Sequence, residues 1–407
     1  MSARARLGGA ALRAVAPALA LLLLAPAAPA VLGGASAHAA ASTAAPSTVP
    51  LAAPSTSVTK TAVPRSGTPG KVRRSWSVDG RVMAVRIKGD LVIAGGEFTH
   101  AIAPNGRRVA ASNLAVFRLG NGRFVAGAVP GTDGVVRALE TRGRWLWVGG
   151  YFERVDGLPR TGLAKIDLNT GRVSPGFDAG LDHGVQALAR GGGGLLAGGR
   201  MTRAGGIEQS WLTRLAPATG RLDEAFRPQL DGPVFALGVD KASGRVWAGG
   251  AFEQVQGAAH DSIVALDLAT GRVRGRQLAR TGGDVLSLQV TSRGQRVVIA
   301  DNFNVLCSWS VRTGARQWRV AAGGDVQAVR VRGALAYFGV HGGFGGQHRA
   351  KLLVADVGTG RVRSWRPRIP DYWGIYAIDV SRRGLVAGGR ITRVAGVPAR
   401  GWVRFLR

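Results

Sequence analysis

The apolar positions of this chain fall into one recurring order. Val135-Val136-Arg137-Ala138-Leu139 is followed by Val148-Gly149-Gly150-Tyr151-Phe152, then Leu163-Ala164-Lys165-Ile166-Asp167, then Thr170-Gly171-Arg172. The order returns from 185, 234, 285, 326 and 375, and begins at 82. Val-x-Ala-Leu alternates with period two, which predicts a strand with one buried face. After a short turn a second strand is predicted to end in Gly-Gly, as in Ile93-Ala94-Gly95-Gly96 and Trp247-Ala248-Gly249-Gly250. An apolar residue then re-enters the core (Phe98, Phe152, Met201, Phe252, Ile391). A polar loop leads to a third strand, and a Thr-Gly turn leads to a poorer fourth one carrying an aromatic, Phe177, Phe226, Trp318 or Trp365. Glycine at that turn supplies the positive φ that a tight hairpin needs.

Four antiparallel strands repeating every ~50 residues are the signature of propeller blades rather than helical solenoids. The expectation is an all-β, seven-bladed β-propeller over residues 71–407. The last repeat stops at Trp402-Val403-Arg404-Phe405-Leu406, its third strand. The missing strand stands at the other end, where Gly70-Lys71-Val72-Arg73-Arg74-Ser75-Trp76 matches Gly360-Arg361-Val362-Arg363-Ser364-Trp365. An N-terminal strand is therefore expected to complete the C-terminal blade and remove the exposed edge. The fifth repeat departs from the pattern, with Ile299-Ala300-Asp301-Asn302-Phe303 in place of Gly-Gly-x-Phe and the following loop missing.

The run Val-Gly-Gly-x-Phe-x-x-Val-x-Gly, followed by Leu-Ala-x-Ile/Leu-Asp-x-x-Thr-Gly, resembles the delta-60 repeat β-propeller family of bacterial exported proteins. That resemblance covers 71–407, is weakest in the fifth repeat, and implies a propeller without a defined chemistry. Ala265-Leu266-Asp267-Leu268-Ala269-Thr270-Gly271 and Thr313-Gly314-Ala315-Arg316-Gln317-Trp318 look similar to the tryptophan-docking repeats of quinoprotein dehydrogenases. That second likeness would imply pyrroloquinoline quinone, calcium and usually a cysteine pair. One cysteine, a tryptophan in only two or three repeats, and seven repeats where those enzymes have eight speak against it.

The first 39 residues add a location. Arg4, Arg6 and Arg13 precede an apolar stretch around Leu21-Leu22-Leu23-Leu24, and Ala37-His38-Ala39 is a small-x-small cleavage site. This reads as a secretory signal peptide over 1–39, with prolines that argue against a retained membrane helix. Residues 40–70, rich in Ala, Ser, Thr and Pro, read as a disordered linker. The expected protein is secreted or extracellular, associated with the cell envelope through charge or a partner, and monomeric. Lone Cys307 lies in a strand pattern and is expected to be a buried, inert thiol.

Lysine and arginine outnumber acids 54 to 24 in 407 residues, a formal charge of +30. Such a surface attracts polyanions with an affinity that falls with salt. The favoured reading is a non-enzymatic scaffold that binds an anionic envelope polymer or an envelope protein. Alternatives are a glycan-active enzyme at the propeller mouth and a non-specific polyanion or nucleic-acid binder, although no nucleic-acid motif occurs.

Two recurring slots carry candidate chemistry. Asp79, Asp133, Asp182, Asp231, Asp284, Asp325 and Asp371 each precede a first strand, and would ring one mouth of the channel. They form a candidate site for a cation, calcium being the hard ion in view, while Asp-Gly turns also begin strands well. No other cofactor is expected. Arg108, Arg160, Gln209, His260, Arg349 and Arg400 share the loop after Gly-Gly-x-Phe. Their cationic members are expected either to face one rim or to bridge neighbouring blades. His260-Asp261-Ser262 is not by adjacency a triad, and no nucleophile elbow or paired-cysteine metal motif occurs. Most tryptophans sit at strand positions, where core packing is the expected role.

Overall fold

The computed structural model describes residues 69–278 and 282–406. The leader and nearly all of the linker lie outside the described residues. Among the described residues every regular element is a strand. Each repeat folds as an antiparallel meander, for example Arg81–Lys88, Leu91–Glu97 and Leu114–Arg118, or Val135–Arg142, Trp145–Tyr151 and Leu163–Asp167. The first strand of each sheet packs against the first strand of the next, and Gly374–Val380 also packs against Arg81–Lys88. Tryptophans 147, 247, 309 and 402 are buried between sheets, as expected for core residues.

The paired glycines answer two separate steric demands. A Cβ on Gly95 would lie 2.3 Å from Val136 Cγ1 of the following sheet, and a Cβ on Gly96 would lie 2.1 Å from the Arg81 carbonyl oxygen. The first glycine is thus the hole that receives the next sheet's leading valine. The second lets the hairpin's own backbone approach. Gly149 with Val185, Gly198 with Val234 and Gly249 with Val285 repeat the first contact.

The polar loop after Gly-Gly-x-Phe holds a small hairpin that the alternation did not reveal. Arg154–Val155 pairs with Leu158–Pro159 and Gln254–Val255 with Ala258–Ala259. Their two-residue turns, Asp156-Gly157 and Gln256-Gly257, have φ of 53° and 75°, and 53° and 77°. Positive φ at both positions matches the twist of the flanking strands.

The fourth strand is shorter than expected. It is complete at Arg316–Ala321, two residues long at Arg172–Val173, and a single bridge at Phe124, Leu222, Val273 and Val362. Pro175, Pro228 and Pro367 lie close to these segments and cannot donate to a ladder. Phe177 and Phe226 are fully buried from irregular backbone instead. The fifth repeat, short of its loop, makes the most regular sheet, Val285–Val290, Arg296–Asp301, Val305–Ser310 and Arg316–Ala321. Asp301 accepts from the N–H groups of Phe303 and Val305, both at 3.0 Å, and so closes the tight turn that replaces the loop.

Val72–Arg73 pairs with Phe405 and Arg404 of the last strand, and Ser77–Val78 then turns away to pair with His100–Ile102. Only two residues of the expected N-terminal strand join the last sheet.

Candidate functional site

The first strands of the repeats line one cavity of about 870 Å3, within the range of ligand pockets. In every one of these strands the pairing slips by one residue immediately after the leading valine or isoleucine. The slips fall between Val82 and Ala84, Val136 and Ala138, Val185 and Ala187, and Val234 and Ala236. They recur between Val285 and Ser287, Val326 and Ala328, and Ile375 and Ala377. Each slip is a β-bulge, which leaves its extra residue out of the ladder and re-aims it. The residues so released are Met83, Arg137, Gln186 and Phe235, then Leu286, Gln327 and Tyr376, and all of them line the cavity. They occupy the x of Val-x-Ala-Leu. The flanking residues are held nearly constant by packing, so this is where one repeat differs from the next in chemistry.

The charged lining is unbalanced. Arg81, Arg86, Arg137, Arg190, Lys241 and Arg330 face it, against Glu140 and Asp379. Both acids are committed: Glu140 pairs with Arg86, and Asp379 accepts from Arg330 Nε at 3.0 Å and from the Ile87 N–H at 2.7 Å. Arg81 pairs with Glu97. Arg137, Arg190 and Lys241 have no ion-pair partner among the described residues. Arg137 touches the Met83 sulfur through Nη1 at 3.4 Å. Burial lowers its pKa, the Tyr151 and Tyr376 phenols oppose that shift, and Arg81 adds to it. Arg190 lies over the Trp147 ring at 5.0 Å and is likewise lowered by burial. A second cavity, about 820 Å3, shares Glu140, Arg190 and Lys241 with the first and adds Arg142; its other two arginines are paired, Arg274 with Asp267, which also lines it, and Arg214 with Asp223. Partly desolvated guanidinium groups without counter-charges are held ready for carboxylate or phosphate, which they bind as a two-pronged fork.

The aspartates before the first strands do not converge. Asp133 and Asp231 each accept two backbone N–H groups some twenty residues onward, Glu153 and Arg154, and Glu253 and Gln254. Asp182 accepts from Thr202 N–H, Thr202 Oγ1 and Arg203 N–H, and Asp371 from Thr392 N–H and Oγ1. Asp79 accepts from the Thr99 and His100 N–H groups, from Thr99 Oγ1, and from Arg108 Nη2 at 2.7 Å. Asp284 takes Asn302 Nδ2, and Asp325 contributes only its carbonyl, to His341 N–H. All of these carboxylates except that of Asp325 pin the segment after the second strand to the entry of the first. None lines the cavity, and among the described residues no three His, Cys, Asp or Glu side chains are grouped as a metal site.

The basic slot divides. Arg108, Arg349 and Arg400 are exposed. Arg160 and His260 are not rim groups: the Arg160 side chain is 10% exposed, donates to the Pro159 and Pro175 carbonyls at 2.6 and 2.8 Å, and reaches Asp178 at 3.5 Å. Gln209 is buried and donates to the Leu212 carbonyl. His260 is 7% exposed, burial lowers its pKa against the opposing charge of Asp261, and its Nδ1 has no hydrogen-bond partner. Cys307 is buried, and burial with the neighbouring Asp301 pushes its thiol up to about 11.

No protein-family model matches the chain, and no curated protein matches it. Among solved structures it is similar to the WD40 β-propeller domain of Doa1, with a TM-score of 0.58, 13% identity, and coverage of 83% of this chain and 96% of that one. It is also similar to the computationally designed Ika8 protein, with a TM-score of 0.50, 16% identity, and coverage of 81% and 98%. At these identities the likeness concerns the fold, and the fold is that of a β-propeller.

Proposed function

We propose that this protein is an exported, seven-bladed β-propeller of the delta-60 repeat type, its ring joined by the Val72–Arg73 strand, and that it binds an anionic polymer of the cell envelope. The observation that carries this reading is the channel: six basic side chains face it, and both of its acids are already paired. A scaffold built only for shape would gain nothing from leaving Arg137 half-desolvated without a counter-charge. The seven bulged strands, the packing of the last first-strand on Arg81–Lys88, and the pairing of Val72 with Phe405 support the blade count and the ring. Propeller channels gather ligand contacts from every blade, which suits a chain-like anion lying across the mouth.

The test is retention of residues 40–407 by purified envelope across a salt series. Retention at about 0.05 M salt that fades by a few tenths molar supports an anionic polymer held by charge. Retention that survives high salt, and is lost when the envelope is protease-treated, points to an envelope protein instead. No retention at either salt contradicts the proposal.

A further inference from the structure

The mouth where the first strands begin carries aromatic groups that the core does not use. Tyr372 and Trp373 stand immediately before the strand Gly374–Val380, and are 67% and 41% exposed. Four other tryptophans are almost wholly buried, so this exposure is a departure that asks for an occupant. The His341 ring stacks on Trp373 with centroids 5.0 Å apart and planes 18° apart, and meets Tyr372 edge-on at 4.6 Å. Tyr372 in turn stands edge-on to Trp373 at 5.2 Å.

This trio is fixed from beneath. Lys351 is 3% exposed, and its ammonium donates to the Tyr372 carbonyl at 2.6 Å and to the His341 carbonyl. A buried lysine thus clamps the two backbone segments that carry the rings. Burial lowers its pKa, against the pull of Asp371. Gly374, at φ +71°, carries the chain straight from Trp373 into the channel strand. Rings held this way lose little entropy on binding.

Trp373 lines the same cavity as Arg81, Arg137 and Tyr376. With Tyr151, Arg81 and Tyr376 are the groups whose charges bear on Arg137, and Arg81, Arg137 and Tyr376 all line this cavity. Gln327 also lines the cavity, and its Oε1 has no hydrogen-bond partner. An aromatic face, an unpaired guanidinium and a free amide acceptor are together the complement of one ligand class. The flat apolar face of a pyranose stacks on an indole, its acid group meets the guanidinium, and a hydroxyl donates to the amide oxygen.

Resting on the reading of the protein as an anionic-polymer binder, we infer that this mouth is a subsite for an acidic sugar residue, stacked on Trp373 with its anionic group directed to Arg137. The polymer is then a glycan rather than a plain polyanion. A uronate carboxylate and a sugar phosphate share this chemistry.

Calorimetric titration of residues 40–407 at about 0.15 M salt tests it. The probes are hexagalacturonate, neutral galactohexaose, glucose 6-phosphate and inorganic polyphosphate. The inference expects an acidic sugar to bind more tightly than galactohexaose, and the acidic probe that does so identifies the group as carboxylate or phosphate. Trp373→Ala is expected to weaken that probe on the order of ten-fold while leaving polyphosphate unchanged. Trp373→Phe, which keeps a ring, is expected to retain most of the binding. Arg137→Gln is expected to bring the acidic sugar down to the level of the neutral one. Equal binding by wild type and Trp373→Ala, or a parallel loss of polyphosphate, overturns the subsite. Polyphosphate binding with no sugar binding overturns the subsite while the anionic-polymer reading stands, and no binding of any probe removes both.

Discussion

Val82 of the first repeat fills the space that a side chain on Gly388 of the last repeat would need: an ideal Cβ on Gly388 would lie 2.5 Å from Val82 Cγ1. The same valine-to-glycine contact joins successive sheets elsewhere. Here it joins residues more than three hundred positions apart.

Gly388→Ala is therefore expected to overpack this seam and lower stability by about 1–3 kcal/mol. Val82→Ala in the same chain is expected to recover part of that loss, giving a coupling that two independent sites would not show. Chemical denaturation of the two single variants and the double variant measures it.

Arg404 makes a second joint between the ends of the chain. It is 4% exposed, and donates to Ser75 Oγ, to the carbonyls of Leu119 and Gly120, and to that of Arg74. Removing it leaves the buried Leu119 carbonyl and three part-buried acceptors without their donor, so Arg404→Met is expected to cost about 1–3 kcal/mol. Removing residues 69–76 is expected to destabilise the protein in the same way, since that segment carries two of the acceptors. Thermal melting of both variants checks this, and an unchanged midpoint would remove the N-terminal segment from the account of stability.

The strands, the repeat and the N-terminal partner of the last sheet were legible because alternation and turn chemistry are local. Gly-Gly was legible as a mark, and its meaning was not, because the valine that explains Gly95 belongs to the next sheet. The aspartate ring was legible as a slot. Its carboxylates point instead at amides of a loop beside them, as Asp133 does to Glu153 and Arg154. The bulged residues were in plain view at the x of Val-x-Ala-Leu. Alternation alone cannot show that the ladder slips there. The signal that would have found them is the variation of x among units whose neighbours scarcely change.

Asp79 gives a pH signature. Burial raises its pKa, and the hydrogen bonds from His100 and Thr99 outweigh burial, holding the carboxyl well below its ordinary 3.8. Its contribution is therefore fully present above that ordinary value and lost as pH falls below it toward the depressed one. Asp79→Asn is expected to lower stability at neutral pH by about 1–3 kcal/mol and to flatten the acid limb of the stability curve. An acid limb identical to wild type would contradict the assignment.

Cys307 is expected to be silent. With its thiol pushed up to about 11 and its side chain buried, almost no accessible thiolate exists near pH 8. A thiol-specific disulfide reagent should react with the denatured chain rapidly and with the folded chain only as fast as it opens. Rapid labelling of the folded protein would show a polarised, open thiol.

The central claim is that the channel, rather than the outer surface, holds the anion. The most direct measurement compares the affinity of Arg137→Gln and Arg190→Gln for hexagalacturonate and for native envelope polymer with that of Arg221→Gln and Arg272→Gln, which remove the same charge from exposed turns. The account predicts that each channel variant loses affinity on the order of ten-fold, while each surface variant changes it little. Equal losses from all four would contradict it, and would show that the net charge alone does the binding.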